Sequence, residues 1–222
     1  MTNVEHQDAA ARTSGLVLHG TARYYDFLAW LVMRGREGSF REKVVDLARV
    51  HPGDRVLDVG CGTGTLAIAA KERVGAAGTV HGIDPSPEMI IRARRKVRKA
   101  GVEVRLKQAI VEALPFDDES FDVVLSTLML HHLPPKARET CAREMRRVLK
   151  PGGRALVVDF GSSAKKKGLV GHLHRRHGSV KLDNIIDFLS QAGLNIVESG
   201  EMGMKDMQFV LATASDAERP GC

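Results

Sequence analysis

The sequence is poor in cysteine. Cys61, Cys141 and Cys222 are all it has, an odd number set far apart, with no Cys-x-x-Cys pair. A disulfide framework or a cysteine-built zinc site is therefore not expected, and reduced thiols in a cytoplasm are. Long apolar runs are also missing; none approaches the roughly 18 residues that a membrane span needs. The opening residues, MTNVEHQDAAARTSG, lack the basic-then-apolar order of a secretory signal. Aromatic residues are only 5% of the chain, with one Trp and two Tyr, few for a surface that stacks nucleic-acid bases. No internal repeat and no low-complexity tract is visible.

What is present describes one soluble globular domain. Over 222 residues, 43% are hydrophobic and 27% charged, enough for a core that needs no covalent staples. The net charge is +6, and it is not spread evenly. Arg92, Arg94, Arg95, Lys96, Arg98 and Lys99 form one cluster, interleaved with Met89, Ala93 and Val97 at helical spacing. That pattern predicts a solvated outer helix face over a buried stripe. A second cluster, Lys165, Lys166, Lys167, Arg175, Arg176 and Lys181, falls in 161–181 together with His172, His174 and His177 and no acid at all. Leu169, Val170 and Leu173 run through it. A basic, partly apolar segment suits an anionic ligand or a lipid interface; a solvated loop is the other reading. Three clustered histidines without a fourth ligand do not make a zinc site, and no metal is expected.

Periodicity sets the fold class. Residues 1–20 carry no clear period, and Thr21–Val50 reads as helical with a break near Gly35–Gly38, ended by His51-Pro52-Gly53-Asp54. Strands are then expected at Arg55–Val59, Thr79–Asp84, Val102–Gln108, Phe121–Ser126 and Arg154–Phe160. Helices are expected between them at Thr63–Val74, Ser86–Ala100 and Pro135–Leu149. A helix over Leu182–Ala192 and strands at Leu194–Glu198 and Gln208–Thr213 complete the chain. Strands alternating with helices of this length imply βαβ units and an α/β, Rossmann-like, doubly wound and mostly parallel sheet of seven strands with helices on both faces. The short connection before the last strand implies an antiparallel C-terminal hairpin.

The strongest chemical signal is Val56-Leu57-Asp58-Val59-Gly60-Cys61-Gly62-Thr63-Gly64. A buried strand, an acid and three alternating glycines lead into a helix, a turn where a ligand can approach backbone closely. The spacing GxGxG, rather than GxGxxG, argues against a dinucleotide. Asp58 suits a ligand with a cationic amine; a plain tight turn is the bland alternative. At the tip of the next strand, Asp84 in His81-Gly82-Ile83-Asp84-Pro85-Ser86 is placed to accept both hydroxyls of a ribose, unless it serves only the turn. Ser86 is an N-cap candidate with Glu88 in the first turn.

VLDVGCGTG, GIDPSPEMI, EALPFDDESFDVV and LKPGG together resemble the class I S-adenosylmethionine-dependent methyltransferases. The nearest group is the type 11-like one that includes the ubiquinone and menaquinone biosynthesis methyltransferases and many small-molecule enzymes. The resemblance covers about residues 40–160. It implies S-adenosyl-L-methionine as cofactor, with S-adenosyl-L-homocysteine as product. Asp58, Gly60, Cys61, Gly62 and Gly64 would hold the methionine end and Asp84 the ribose. Pro85, Met89, Ala109, Ile110 and Val111 would meet the adenine, and Ser126 would stand beside the sulfonium. Leu149–Gly153 is read as a helix-to-strand turn. The family often has an acid where this chain has Ile110. Backbone groups at Ile110 and Val111, or Glu112, are the replacements open to it. By the same resemblance, 1–50 is expected as a helical lid or cap and 51–222 as the methyltransferase domain, with the basic insertion 161–181 on the acceptor side.

Methyl transfer from a sulfonium is an in-line displacement that needs a base only when the acceptor must lose a proton. His131 and His132, just after the fourth strand, are the candidates; the alternative is that one packs against the cofactor and the other caps the next helix. Tyr24 and Tyr25 are expected to close the site or to pack in the core, and His172, Arg175 and Arg176 to face the acceptor. Cys61 reads as a small filler of space. The expected acceptor is a small or lipid-like molecule, of which an anionic one suits the basic segment, with peripheral membrane contact and either a monomer or a homodimer. An RNA methyltransferase and a non-catalytic partner subunit are the competing readings. Against RNA, the Asn/Asp-Pro-Pro-Tyr motif is missing, because strand four leads into LSTLMLHHLPP.

Overall fold

The structure is a computed structural model, which describes residues 37–161, 179–204 and 206–215. Tyr24, Tyr25, His172, Arg175 and Arg176 lie outside the described residues. The elements run α1 (Glu37–Leu47), β1 (Arg55–Val59), α2 (Thr65–Val74), β2 (Thr79–Asp84), α3 (Pro87–Ala100), β3 (Arg105–Gln108) and β4 (Phe121–Thr127). A 3₁₀ turn (Leu130–His132) follows, then α4 (Pro135–Val148), β5 (Leu149–Phe160), α5 (Leu182–Gln191), β6 (Leu194–Glu201) and β7 (Met207–Ala214). The seven strands lie in the order β3-β2-β1-β4-β5-β7-β6. The first five are mutually parallel, and β7 inserts antiparallel between β5 and its hairpin partner β6. The expected doubly wound sheet with an antiparallel end is what the chain forms.

Strand order reverses between β1 and β4, the place where open α/β sheets leave a crevice beyond their carboxyl ends. Both faces are covered, so the central strands are apolar almost throughout. On one face Leu57, Val59, Val124 and Val157 pack with Cys141 and Met145 of α4 and with Ile185 and Leu189 of α5. On the other, Val56, Val123, Leu125 and Leu156 pack with Ala67, Ala70 and Val74 of α2 and with Phe40, Val44 and Val45 of α1. The part of the 1–50 segment that is described therefore belongs to the packed body. Lys43 also fastens α1 to the far end of the sheet, donating to the Met202 carbonyl at 2.6 Å.

The boundaries differ from the expected ones for identifiable reasons. Helix α2 starts at Thr65 because Gly62 and Gly64 sit at φ +52° and +78°, left-handed values that no helix continues. Strand β3 starts only at Arg105. The turns before it close α3: Gly101 stands at φ +69° and the Val102 amide bonds back to the Val97 carbonyl. The other end of α3 is as expected, with Ser86 Oγ accepting the Met89 amide at 3.4 Å and Pro87 in the first turn. The Leu149–Gly153 stretch is already in register with the sheet, since Leu149 pairs with Phe121 before a shift that brings Arg154 opposite Val123.

The segment between β3 and β4, which carries EALPFDDES, has no regular structure and is held chiefly by two side chains of α4. Arg147 of α4 donates to the Leu114 and Phe116 carbonyls, to Asp118, and in a fork to Glu144, all within 2.9 Å. Glu144 in turn accepts the Leu114 amide at 2.7 Å. The Arg147 guanidinium holds the Glu144 carboxyl below its ordinary range, and Glu144 and Asp118 raise that of Arg147. Arg147→Ala leaves the Phe116 carbonyl and the Asp118 and Glu144 carboxylates without this donor, while the Leu114 carbonyl keeps the Phe116 amide. We expect a loss of about 2 kcal/mol, or about 4–8 °C in Tm, read by thermal unfolding. An unchanged Tm would show that the segment needs no such clamp.

Candidate active site

The glycine loop folds as it does because its Gly60, Cys61, Gly62 and Gly64 amides each find an acceptor. The Gly60 and Cys61 amides both donate to the Ile83 carbonyl, at 2.9 and 2.8 Å, and the Gly64 amide donates to the Cys61 carbonyl at 2.9 Å. The Gly62 amide donates to Asp84 Oδ2 at 3.0 Å, while Asp84 Oδ1 accepts the Ser86 amide at 2.9 Å. Asp84 thus joins the tip of β2, the glycine loop and the start of α3. Gly60 is needed for two reasons: its φ is +74°, and a Cβ there would fall 2.5 Å from Met129 Cγ. A Cβ on Gly64 would approach that of Ala93 in α3 to 3.0 Å.

Asp58 lies at the second-to-last position of β1, buried. The Ala67 amide in the first turn of α2 hydrogen-bonds to its carboxylate, so the acid closes a helix start whose own N-cap, Gly64, has no side chain to offer. Its Oδ2 has no partner. Ser126 stands on β4 opposite Val59, equally buried, and its Oγ has no partner either. By the alternation of the strands the two project to opposite faces, so unsatisfied oxygens flank the crevice from both sides.

The remaining expected residues fall along the same carboxyl edge. The Ala109 amide donates to the Asp84 carbonyl at 3.3 Å, bringing 109–111 beside the tip of β2. Pro85 is fixed from there by Gln108 Nε2 at 3.1 Å. Ile110 is half-buried, and Val111 and Met89 are buried. Cys61 turns its thiol away from the rim into the sheet, with Sγ 3.1 Å from where a Gly82 Cβ would be. Burial and the two acids push its pKa well up, so it is an inert filler.

His131 and His132 occupy the 3₁₀ turn after β4, their rings 3.9 Å apart. The chain reaches that turn through Leu128, strained at φ +52°, and Met129, which packs under Gly60. His131 Nδ1 is 2.7 Å from Asp159 Oδ1. Asp159, at the end of β5 and fully buried, was not singled out by sequence reasoning. The signal was there: a lone acid inside the apolar run Ala155-Leu156-Val157-Val158-Asp159-Phe160.

Two acids buried so close to one another cannot both ionise freely. Burial, reinforced by the charge of Asp84 and only partly offset by the Ala67 amide, pushes the Asp58 carboxyl up to about 7. Burial raises Asp84 as well, against the Ser86 and Gly62 amides. The native chain therefore keeps a proton on Asp58 at pH values where the unfolded chain, with an ordinary carboxyl near 3.8, has lost it. That contribution to stability is whole below 3.8 and disappears as pH rises through about 7. Urea midpoints of Asp58→Asn should lack this decline and exceed those of the unchanged protein at pH 8. Parallel pH profiles for the two proteins would refute the assignment.

Comparison with known proteins agrees with this geometry. Residues 56–153 match the family model of a methyltransferase domain. Over 165 residues the chain is 39% identical to the ubiquinone/menaquinone biosynthesis C-methyltransferase UbiE of Stenotrophomonas maltophilia, covering 72% of this chain and 64% of that protein. Over 161 residues it is 35% identical to the protein of the same name from Vibrio vulnificus, covering 72% and 61%. The chain thus spans a little under two thirds of these curated relatives. The crystal structure of a SAM-dependent methyltransferase from Aquifex aeolicus matches with a TM-score of 0.71 at 25% identity, over 87% of this chain and 96% of that one. A methyltransferase structure from Methanosarcina mazei shares the fold at a TM-score of 0.61 and 24% identity, over 73% and 93%. With the glycine loop, the acid at the tip of β2 and the β1/β4 crevice, these matches support a class I S-adenosylmethionine-dependent methyltransferase related to the ubiquinone/menaquinone group.

Proposed function

We propose that the protein transfers a methyl group from S-adenosylmethionine to carbon of a small quinol-like acceptor and releases S-adenosylhomocysteine. The carrying observation is the pair of buried, unpartnered oxygens at the strand reversal, Asp58 Oδ2 and Ser126 Oγ. Each buried polar atom without a partner costs on the order of 1–3 kcal/mol, a cost removed when a ligand supplies the missing group. An acid that burial holds near neutrality suits a cationic amine, which would draw its proton off and complete the pair. Asp84 retains lone pairs beyond its two amide bonds and would receive the ribose hydroxyls. Residues 109–111 would border the adenine, and Ser126 would stand toward the sulfonium. The names of the curated relatives support the carbon acceptor and its quinone character.

When bound, the cofactor supplies a methyl carbon already activated by its sulfonium. The chain's task is then to align the acceptor and keep water out. The turn after β4 suits the second part, since Met129, Leu130 and Leu133 around the histidines are buried and apolar. A quinol must lose a proton as its ring carbon is methylated, and the imidazoles of His131 and His132 are the groups at this turn able to receive it.

Calorimetry with S-adenosylmethionine and S-adenosylhomocysteine tests the cofactor, and a radiolabelled-methyl assay on a short-chain 1,4-naphthoquinol tests the acceptor. We expect saturable binding of both, label in the organic extract, and an affinity at least about tenfold weaker in Asp58→Ala. Label appearing only in RNA or protein fractions would overturn the acceptor, and absence of binding would overturn the function.

A further inference from the structure

The buried acid at the end of β5 has no role in holding the cofactor, yet it is among the most completely engaged groups at this edge of the sheet. Asp159 is fully buried. Its Oδ1 accepts the Phe160 amide at 2.7 Å and its Oδ2 the His131 amide at 3.1 Å. The His131 ring, itself only 8% exposed, brings Nδ1 to 2.7 Å of Oδ1. Nearby, Arg138 of α4 donates from Nε to the Leu130 carbonyl at 2.9 Å, and the charge of Asp159 acts on its half-buried guanidinium. The 3₁₀ turn is therefore gripped from β5 and from α4 at once.

We infer that Asp159 is a positioning residue for proton removal: it holds His131 with the proton on Nδ1, so that Nε2 carries the lone pair that accepts a proton from the methyl acceptor. This rests on the methyl-transfer reading above. The carboxylate is already the acceptor of two backbone amides, so toward Nδ1 it is again the acceptor and the ring is the donor. In a neutral imidazole only one nitrogen carries hydrogen, which leaves Nε2 unprotonated on the opposite edge of the ring. When the acceptor's O–H or C–H bond breaks, its proton goes to Nε2 and its electron pair stays on the acceptor. The ring becomes an imidazolium carrying one positive charge, and the adjacent Asp159 carboxylate balances it without moving. The strand pairing explains the pairing of these two side chains. Thr127 lies opposite Val158, and the Leu128 amide bonds to the Val158 carbonyl at 2.8 Å. The chain then turns at Leu128, and a residue three positions on meets the strand residue next to Val158.

Two measurements decide it. Nitrogen-15 NMR of the unchanged protein labelled at histidine reads the His131 tautomer directly at neutral pH, with or without S-adenosylhomocysteine. We expect Nδ1 protonated and Nε2 bare. Asp159→Asn can offer Nδ1 an amide N–H in place of an acceptor, and should shift His131 toward the other tautomer. In the naphthoquinol assay, Asp159→Asn should lower kcat by about 10²–10⁴-fold, with the KM for S-adenosylmethionine and the affinity for S-adenosylhomocysteine within about twofold. Asp159→Glu should recover part of the rate. Nδ1 found bare in the unchanged protein would overturn the proposal, as would an unaltered tautomer or an unaltered kcat in Asp159→Asn. Failure of S-adenosylhomocysteine to bind the unchanged protein would instead strike the proposed function, since the tautomer is read without the cofactor.

Discussion

One carboxylate organises the cofactor end of this molecule. Asp84 accepts an amide from the glycine loop with one oxygen and an amide from the start of α3 with the other. Hydrogen bonds to a charged group contribute roughly 1.5–3 kcal/mol each, more than neutral ones, and here they tie the glycine loop and the start of α3 to the tip of β2, beside the Ile83 carbonyl that also holds the loop. They act together with the Ile83 and Cys61 carbonyls, which take the Gly60, Cys61 and Gly64 amides. With them, the loop is pressed onto Ala93 on one side and Met129 on the other, and the tip of β2 sets where 109–111 can lie.

That organisation has an electrostatic consequence. Burial opposes ionisation of both Asp58 and Asp84, and at Asp58, whose burial is complete, the charge of Asp84 adds to it. The crevice is thus a place where a negative charge is unwelcome and where a positive ligand group would resolve the tension. The same acid serves structure, because it closes the start of α2 where Gly64 cannot. Stability and the proposed binding draw on one residue, which is why a substitution there is expected to move them in opposite directions.

The opposite wall of the crevice is built by different means. Leu128 is held in a left-handed conformation that an L-residue adopts at some cost, and the strain lies next to the residues of chemical interest. It is tolerated because the strand before it and the turn after it are both tied down, the first by β5 and the second by Asp159 and Arg138. A loop that was merely long would bring two imidazoles near the site, but not with one nitrogen committed to a carboxylate. Arg147 plays a comparable part for the segment after β3, replacing absent regular structure with a set of bonds from a single guanidinium.

Much of this was legible in the chain. The alternation of apolar runs with helical periods determines a parallel sheet with covered faces, and the glycine spacing with Asp58 and Asp84 points to the turn proposed to receive the ligand. Local chemistry was readable as well: Ser86 caps α3 and Gly101 ends it, because those are properties of residues adjacent in sequence. What adjacency cannot show is a partner on another strand. Gly60 reads as room for a ligand, yet its missing Cβ is first of all room for Met129. His131 reads as a histidine near the site, and only the register of β4 on β5 gives it Asp159. The sequence by itself determined the elements, their order and the kind of ligand the loop can accept, since these follow from short-range sterics and burial. The tertiary structure decided which nitrogen faces which acid and which oxygens are left without partners, since those depend on strand register and on groups 22 to 28 residues apart meeting at the carboxyl edge of the sheet.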